Sequence, residues 1–307
     1  MRRDCKGRVV AAVSPLWWCL FGLAVPFCHD CHAAAYATLG AAIPAIQSTI
    51  RKSGAHVAIA FRTLDGRRQW LLHADEPFHA ASTMKVAVLI ELYHQVRQGR
   101  AGLDEPLIVR NEFSSLVDGS PFSLDPSDDS EKDLYLAVGS SRTLGQLSEL
   151  MITVSSNLAT NLLMDKLGIG NIRGSVQVLG ADGMNVVRDL EDTKALQQGM
   201  NNTTTARALL QLMEAIAHGR AVDAESSRQM LAVLERQTFN DDIPAGLPAG
   251  TLVAHKVGEV TKIHHDAAIV FARRPFVLII LTRGLADTKE SSALIAKITR
   301  QLYPATQ

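Results

Sequence analysis

Ser82 and Lys85 stand three residues apart in the segment HAASTMKVAVLIEL, which runs from His79 to Leu92. On a helix that spacing puts both side chains on one face. A serine hydroxyl is a weak nucleophile until a base takes its proton, and a lysine whose charge is disfavoured by burial can be that base. The neighbours supply the burial: Met84, Val86, Ala87, Val88, Leu89, Ile90 and Leu92 leave the helix almost no polar side, so it belongs in a large core. An ammonium there must snorkel to solvent, find a partner or lose its proton. A serine at the helix N-terminus also offers its own backbone N–H to a developing oxyanion. Taken alone, the pair is equally well read as a snorkelling lysine beside an N-capping serine.

The elements that must position this pair are legible from periodicity. LGAAIPAIQSTIRKSG reads as an amphipathic helix stopped at Gly54, and HVAIAFRTLDGRRQWLLHAD as two short strands around a turn at Asp65 and Gly66. The Ser82 helix should end near Gly99, followed by a Ser-, Asp- and Pro-rich loop from Gly119 to Lys132. TLGQLSELMITV, NLATNLLMDKLG, TTTARALLQLMEAIAHG and ESSRQMLAVLERQ carry apolar residues at three- and four-residue spacing and predict helices. GTLVAHKVGEV, DAAIVFA and FVLIILTRG then predict an antiparallel meander, and SSALIAKITRQLY a closing helix. Strands at both ends with helices between imply an α/β fold of the α+β kind: an antiparallel sheet flanked by helices, plus an all-helical lobe. The sheet lobe is assigned to residues 36–75 and 249–307 and the helical lobe to 76–248.

The 307 residues carry zero net charge, with 47% hydrophobic and 20% charged. That composition suits one large globular domain and gives a nucleic acid no electrostatic footprint. The N-terminus differs. Arg2, Arg3, Lys6 and Arg8 precede an apolar run from Val9 to Phe27, and HAAAYA follows, the pattern of a secretory signal peptide cleaved after Ala35 or Ala37. Residues 1–35 are therefore assigned as a leader, the mature chain as a secreted or periplasmic bacterial monomer free of the membrane; a retained anchor is the alternative. All four cysteines, Cys5, Cys19, Cys28 and Cys31, lie in that leader, which removes disulfide and thiolate-metal chemistry from the mature chain. Cleavage after Ala24 would instead leave CHDCH, from Cys28 to His32, which matches covalent haem attachment. That motif would sit on a free end without the structure a haem needs, so no cofactor is expected.

Two more groups precede any conclusion. Ser155-Ser156-Asn157 opens a predicted helix, and Lys256-Val257-Gly258 lies in a predicted strand. With Ser82-Thr83-Met84-Lys85 they stand in the order S-x-x-K, S-x-N, K-x-G, and here the chain resembles the class A β-lactamases and the related penicillin-binding serine enzymes. VSSNLATNLLMDKLG, NNTTTARALLQLM and HDAAIVFARRPFVLIILTRG extend the resemblance over roughly residues 40–305. It implies that Ser82 is acylated, with Lys85 its base or proton relay. Ser155 would pass a proton to the leaving nitrogen, Asn157 would hold the substrate amide, and Lys256 would steer the proton at Ser155 and attract a substrate carboxylate. Backbone N–H groups of Ser82 and Glu259 would form the oxyanion hole, and Gly258 fits a strand against bound substrate.

Several positions depart from that pattern. Val257 replaces a hydroxyl residue that would bond a carboxylate, Ser156 replaces the aspartate of S-D-N, and Glu259 puts a carboxylate beside the oxyanion site. The deacylating R-x-E-x-x-x-N loop corresponds to RDLEDTKALQQGMNN. Leu190 stands two residues after Arg188, Glu191 three after, and Asn202 takes the place of a loop-closing aspartate. Glu191 is either a displaced water-activating carboxylate or an exposed loop residue. Of His264, His265 and Asp266, adjacent strand residues face opposite ways and cannot converge on one ion, so no metal is expected; His265 is assigned a polar or cationic role near the carboxylate end of the site. No G-x-S-x-G elbow occurs. The expectation is a serine hydrolase that opens β-lactam rings through acyl-Ser82. The alternatives are a D,D-peptidase-like amidase on peptidoglycan stem peptides and a non-catalytic sensor of either ligand.

Overall fold

The computed structural model describes residues 38–307; the leader, its cysteines and the Cys28–His32 motif lie outside them. Helix α1 (Leu39–Ser53) is capped by Thr38 and ends on Gly54, at φ 73°. Strands β1 (His56–Thr63) and β2 (Gln69–Leu72) form the expected hairpin. A 3-10 turn over Ala81–Met84 leads into α2 (Lys85–Arg97). The helical layer adds α3 (Leu144–Thr153), α4 (Asn157–Leu167), α5 (Ile169–Val178), α6 (Ala206–Ala217) and α7 (Ala224–Leu234). The chain returns as β3 (Leu252–Val260), β4 (Ile263–Phe271) and β5 (Phe276–Arg283), and closes with α8 (Thr288–Thr306).

The strands make one antiparallel sheet in the order β2-β1-β5-β4-β3. Both ends of the described chain thus meet where β1 pairs with β5, Ile59 opposite Ile280. Alternate residues serve opposite faces. Ala58, Ala60, Val277, Ile279 and Leu281 pack toward the helical lobe, while Val57, Ile59, Phe61, Phe276, Leu278 and Ile280 pack against α1 and α8. Covering both faces explains why β5 reads as an unbroken apolar run.

Helix α2 lies at the centre of the lobe, against α3, α4, α5 and α7. Val86, Val88, Leu89, Ile90 and Leu92 are buried, together of order 10 kcal/mol at about 1.5–3 kcal/mol each. That exceeds the several kcal/mol an effectively desolvated ion costs, so the helix can carry Lys85 inside at 0% exposure. Helix α5 is absent from the periodicity reading. Gly170 and Gly174 lower its propensity, and its packing against α2 overrides them.

Candidate active site

The turn that carries Ser82 is held from three sides. Phe78 and His79 pair with Thr203 and Thr204, and the Ala80 N–H donates to the Asn202 carbonyl at 2.9 Å. Ala81 adopts φ 45°, a left-handed conformation costly for a residue with a Cβ, and its N–H donates to His79 Nδ1 at 2.9 Å. From the third side comes edge strand β3. A Cβ added to Gly258 would lie 3.0 Å from the Ser82 nitrogen and 2.9 Å from that of Thr83, so only glycine lets the strand back onto the turn. Ser82 is left half-buried, lining a cleft of about 610 Å³ together with Ser155, Asn157, Val257 and Glu259.

Lys85 Nζ donates to the Ser155 carbonyl at 2.7 Å, to Ser155 Oγ at 3.2 Å and to Asn157 Oδ1 at 3.0 Å. Among the described residues its hydrogen bonds go there and not to Ser82, which differs from the expected direct pairing. The reason is local: Ser82 sits in the 3-10 turn and Lys85 is the first residue of α2, so the long side chain reaches the start of α4. There three oxygens match its three donors. Ser155 presents two of them from a left-handed conformation, φ 60°, and Asn157 the third. From the other side Lys256 Nζ donates to the same Ser155 Oγ at 3.0 Å and to the Val257 carbonyl at 2.7 Å. Burial brings the Lys85 amine down to about 7, opposed by the charges of Asp129 and Glu191. The Lys256 amine is lowered well below the usual range, first by burial and then by Lys85 itself, with Asp266 opposing. Two ammonium groups cannot both stay charged around one hydroxyl in a dry site.

The loop opposite is built differently. The Leu190 N–H donates to Asn161 Oδ1 at 2.9 Å, and Asn161 Nδ2 donates back to the Leu190 carbonyl at 3.0 Å. Glu191 follows at φ 64°, which turns its carboxylate inward. Oε1 accepts from Asn157 Nδ2 at 3.3 Å and Oε2 from the Asp125 N–H at 3.0 Å. Burial raises its carboxyl above the usual range against those two hydrogen bonds. It is half-buried and not a free loop carboxylate. Asn202 ties the loop with neutral hydrogen bonds: Oδ1 accepts from the N–H groups of Val187 (2.8 Å) and Arg188 (3.1 Å), and Nδ2 donates to the Arg188 carbonyl.

A model of the β-lactamase enzyme family matches residues 41–306. The chain belongs to that family. It is 29% identical over 235 residues to the carbapenem-hydrolyzing β-lactamase KPC of Klebsiella oxytoca, covering 74% of this chain and 76% of that one. Among solved structures it is similar to a β-lactamase from Sphaerobacter thermophilus DSM 20745, with 26% identity and TM-score 0.75 over 86% of this chain and 96% of the other. A leucine-to-glutamate variant of PBP-A, solved as an acyl-enzyme complex with penicillin G, gives 28% identity and TM-score 0.74 over 87% and 97%.

Within this β-lactamase family fold, one assigned residue leaves the cleft. His265 is fully buried. Its Nδ1 accepts from the Thr282 N–H at 3.1 Å and its Nε2 donates to the His79 carbonyl at 2.9 Å, and burial takes the imidazole down to about 4. It is a neutral strut behind the Ser82 turn, not a cationic group for substrate. His264 lines the cleft instead, bonded through Nε2 to Asp242 at 2.9 Å, while Asp266 bonds His255. The three neighbours thus engage separate partners. Glu259 is exposed and accepts from Thr288 Oγ1 at the cleft wall. Two residues of the site had no motif to announce them: His79, visible only as the residue three before Ser82, and Asp129, hidden in the Ser/Asp/Pro loop.

Proposed function

We propose that the protein is a serine acyl-enzyme hydrolase that opens β-lactam rings through an ester at Ser82. Ser82 Oγ attacks the lactam carbonyl while its proton passes to the neutral Lys85 amine, and the oxyanion rests on the backbone N–H groups of Ser82 and Glu259. As the ring C–N bond breaks, Ser155 Oγ gives its proton to the nitrogen and is reprotonated from the lysine pair. Asn157 holds the substrate amide, and Glu191 activates the water that releases the ester. The observation that carries this reading is the convergence of two buried lysines on Ser155 Oγ beside Ser82. Hydrogen bonds between nucleophile and base commonly tighten only when substrate arrives, so the free geometry is compatible with the transfer.

A second reading, a D,D-peptidase-like amidase on cell-wall peptides, is favoured by Leu190 occupying the position that Asn161 pins. It expects a long-lived ester, of the kind captured for the PBP-A variant with penicillin G. Intact-protein mass spectrometry over time after adding a penicillin separates the two. The leading reading expects a ring-opened adduct, lost in Ser82→Ala, that clears with multiple turnover. A persistent adduct supports the second reading, and neither adduct nor turnover overturns both.

A further inference from the structure

Ser156 stands where the family motif has an aspartate, yet the start of α4 is not short of a carboxylate. Asp129 comes in from the Ser/Asp/Pro loop and is 4% exposed. Its Oδ2 accepts from the backbone N–H of Asn157 at 2.8 Å and of Leu158 at 2.9 Å, from Ser156 Oγ at 3.3 Å and from the Tyr135 hydroxyl at 2.9 Å. Its Oδ1 takes the Glu131 N–H, which fixes the loop that delivers it. A helix start offers unpaired N–H groups and a partial positive charge, so the carboxylate is held by the ends of two segments remote in sequence.

We propose that Asp129 is a positioning residue for acylation: it replaces the aspartate missing at 156, anchors Asn157, and through Asn157 Oδ1 holds the Lys85 amine against Ser155. The inference rests on the acyl-Ser82 reading. Its geometric links are the Asn157 N–H on Asp129 and the Lys85 Nζ on Asn157. Electrostatics runs along the same path. The charged groups acting on Lys85 are Asp129 and Glu191, which favour its protonated form, and the neighbouring Lys256 amine, which disfavours it. Burial and the Asp129 charge raise the Tyr135 hydroxyl, which keeps it a donor to the carboxylate. Removing the Asp129 charge therefore makes the Lys85 amine easier to deprotonate, while loosening Asn157.

These two effects separate positioning from mere folding support. For Asp129→Asn, the rate of penicillin ester formation should fall about tenfold or more at high pH, as misplacement of reacting groups predicts. The acid limb of the pH profile should move about one unit lower, as loss of a nearby opposite charge predicts. A folded Asp129→Asn protein with the wild-type plateau and acid limb overturns the inference. The double variant Asp129→Ser with Ser156→Asp moves the carboxylate back into the motif, where aspartate also serves as an N-cap. Recovery of the ester-formation rate relative to Asp129→Ser supports the proposal even where the single variants fold poorly. A double variant as slow as Asp129→Ser, or unfolded, overturns it. Wild-type protein that forms no ester at Ser82 would instead sink the functional reading.

Discussion

The two sides of the cleft meet at Asn157 and are built on opposite plans. On one side the buried Lys85 and Lys256 are interlocked with the half-buried Ser155 by hydrogen bonds of 2.7–3.2 Å, behind a turn wedged against Gly258. On the other, Arg188 donates to backbone carbonyls of Met200 and Asp189, Asn202 closes the loop with an amide, and the carboxylate arrives one position late at Glu191. Making an ester demands a base and a proton donor at fixed distances from a bond-breaking centre; releasing it demands a carboxylate that can hold one water. The first task tolerates little redesign. The second can be met from more than one loop position, and the carboxylate here stands one residue beyond the family pattern.

Removing the base should give the largest effect. Lys85→Met should slow ester formation about a thousandfold, the order of a general base, and in the wild type the rate should rise with pH through about 7 as the Lys85 amine loses its proton. A Lys85→Met protein that forms ester at the wild-type rate would remove the base from the first side. The scaffold behind that side should show itself in stability. His265 is neutral when folded down to about 4, against an ordinary 6.5. Its contribution is complete above 6.5 and is lost as pH falls from there to about 4, a change of about 3 kcal/mol in unfolding free energy. His265→Gln should flatten that part of the profile in denaturant titrations; an unchanged slope contradicts the assignment.

The water side is tested by Glu191→Gln, which should leave the high-pH plateau of ester formation intact, move its acid limb lower as the charge beside Lys85 is lost, and slow ester release about a hundredfold. Equal release rates in pre-steady-state quench measurements would show that this carboxylate has no part in it, and the two plans would differ more deeply than a one-residue displacement. The smallest change is expected from Val257→Thr. A hydroxyl at the cleft wall should lower KM for carboxylate-bearing lactams about fivefold, the net worth of one hydrogen bond, with kcat unmoved. No change in KM would place the substrate carboxylate elsewhere.

The sheet and the flanking helices were legible from periodicity, and the three signature segments from the order S-x-x-K, S-x-N, K-x-G that resembles the family. Helix α5 was not legible, since two glycines mask a segment whose order comes from packing. Asp129 was hidden for another reason: its role arises from contacts with residues 27–29 positions ahead, and a carboxylate in a polar loop looks solvated. His265 was misassigned because alternation gives the face of a strand residue but not its depth. The fully buried face of β4 turns a histidine into a strut where the exposed end of the same strand would have made it a ligand.

Gly258 and Ser82 meet across 175 intervening positions of chain, and the strand carrying the glycine pairs in the sheet only with β4. A nascent polypeptide that has not yet emitted its last strand therefore carries the serine but has no wall to press against it. On the acyl-Ser82 reading, a fragment ending at the helical lobe should therefore not be marked by a lactam.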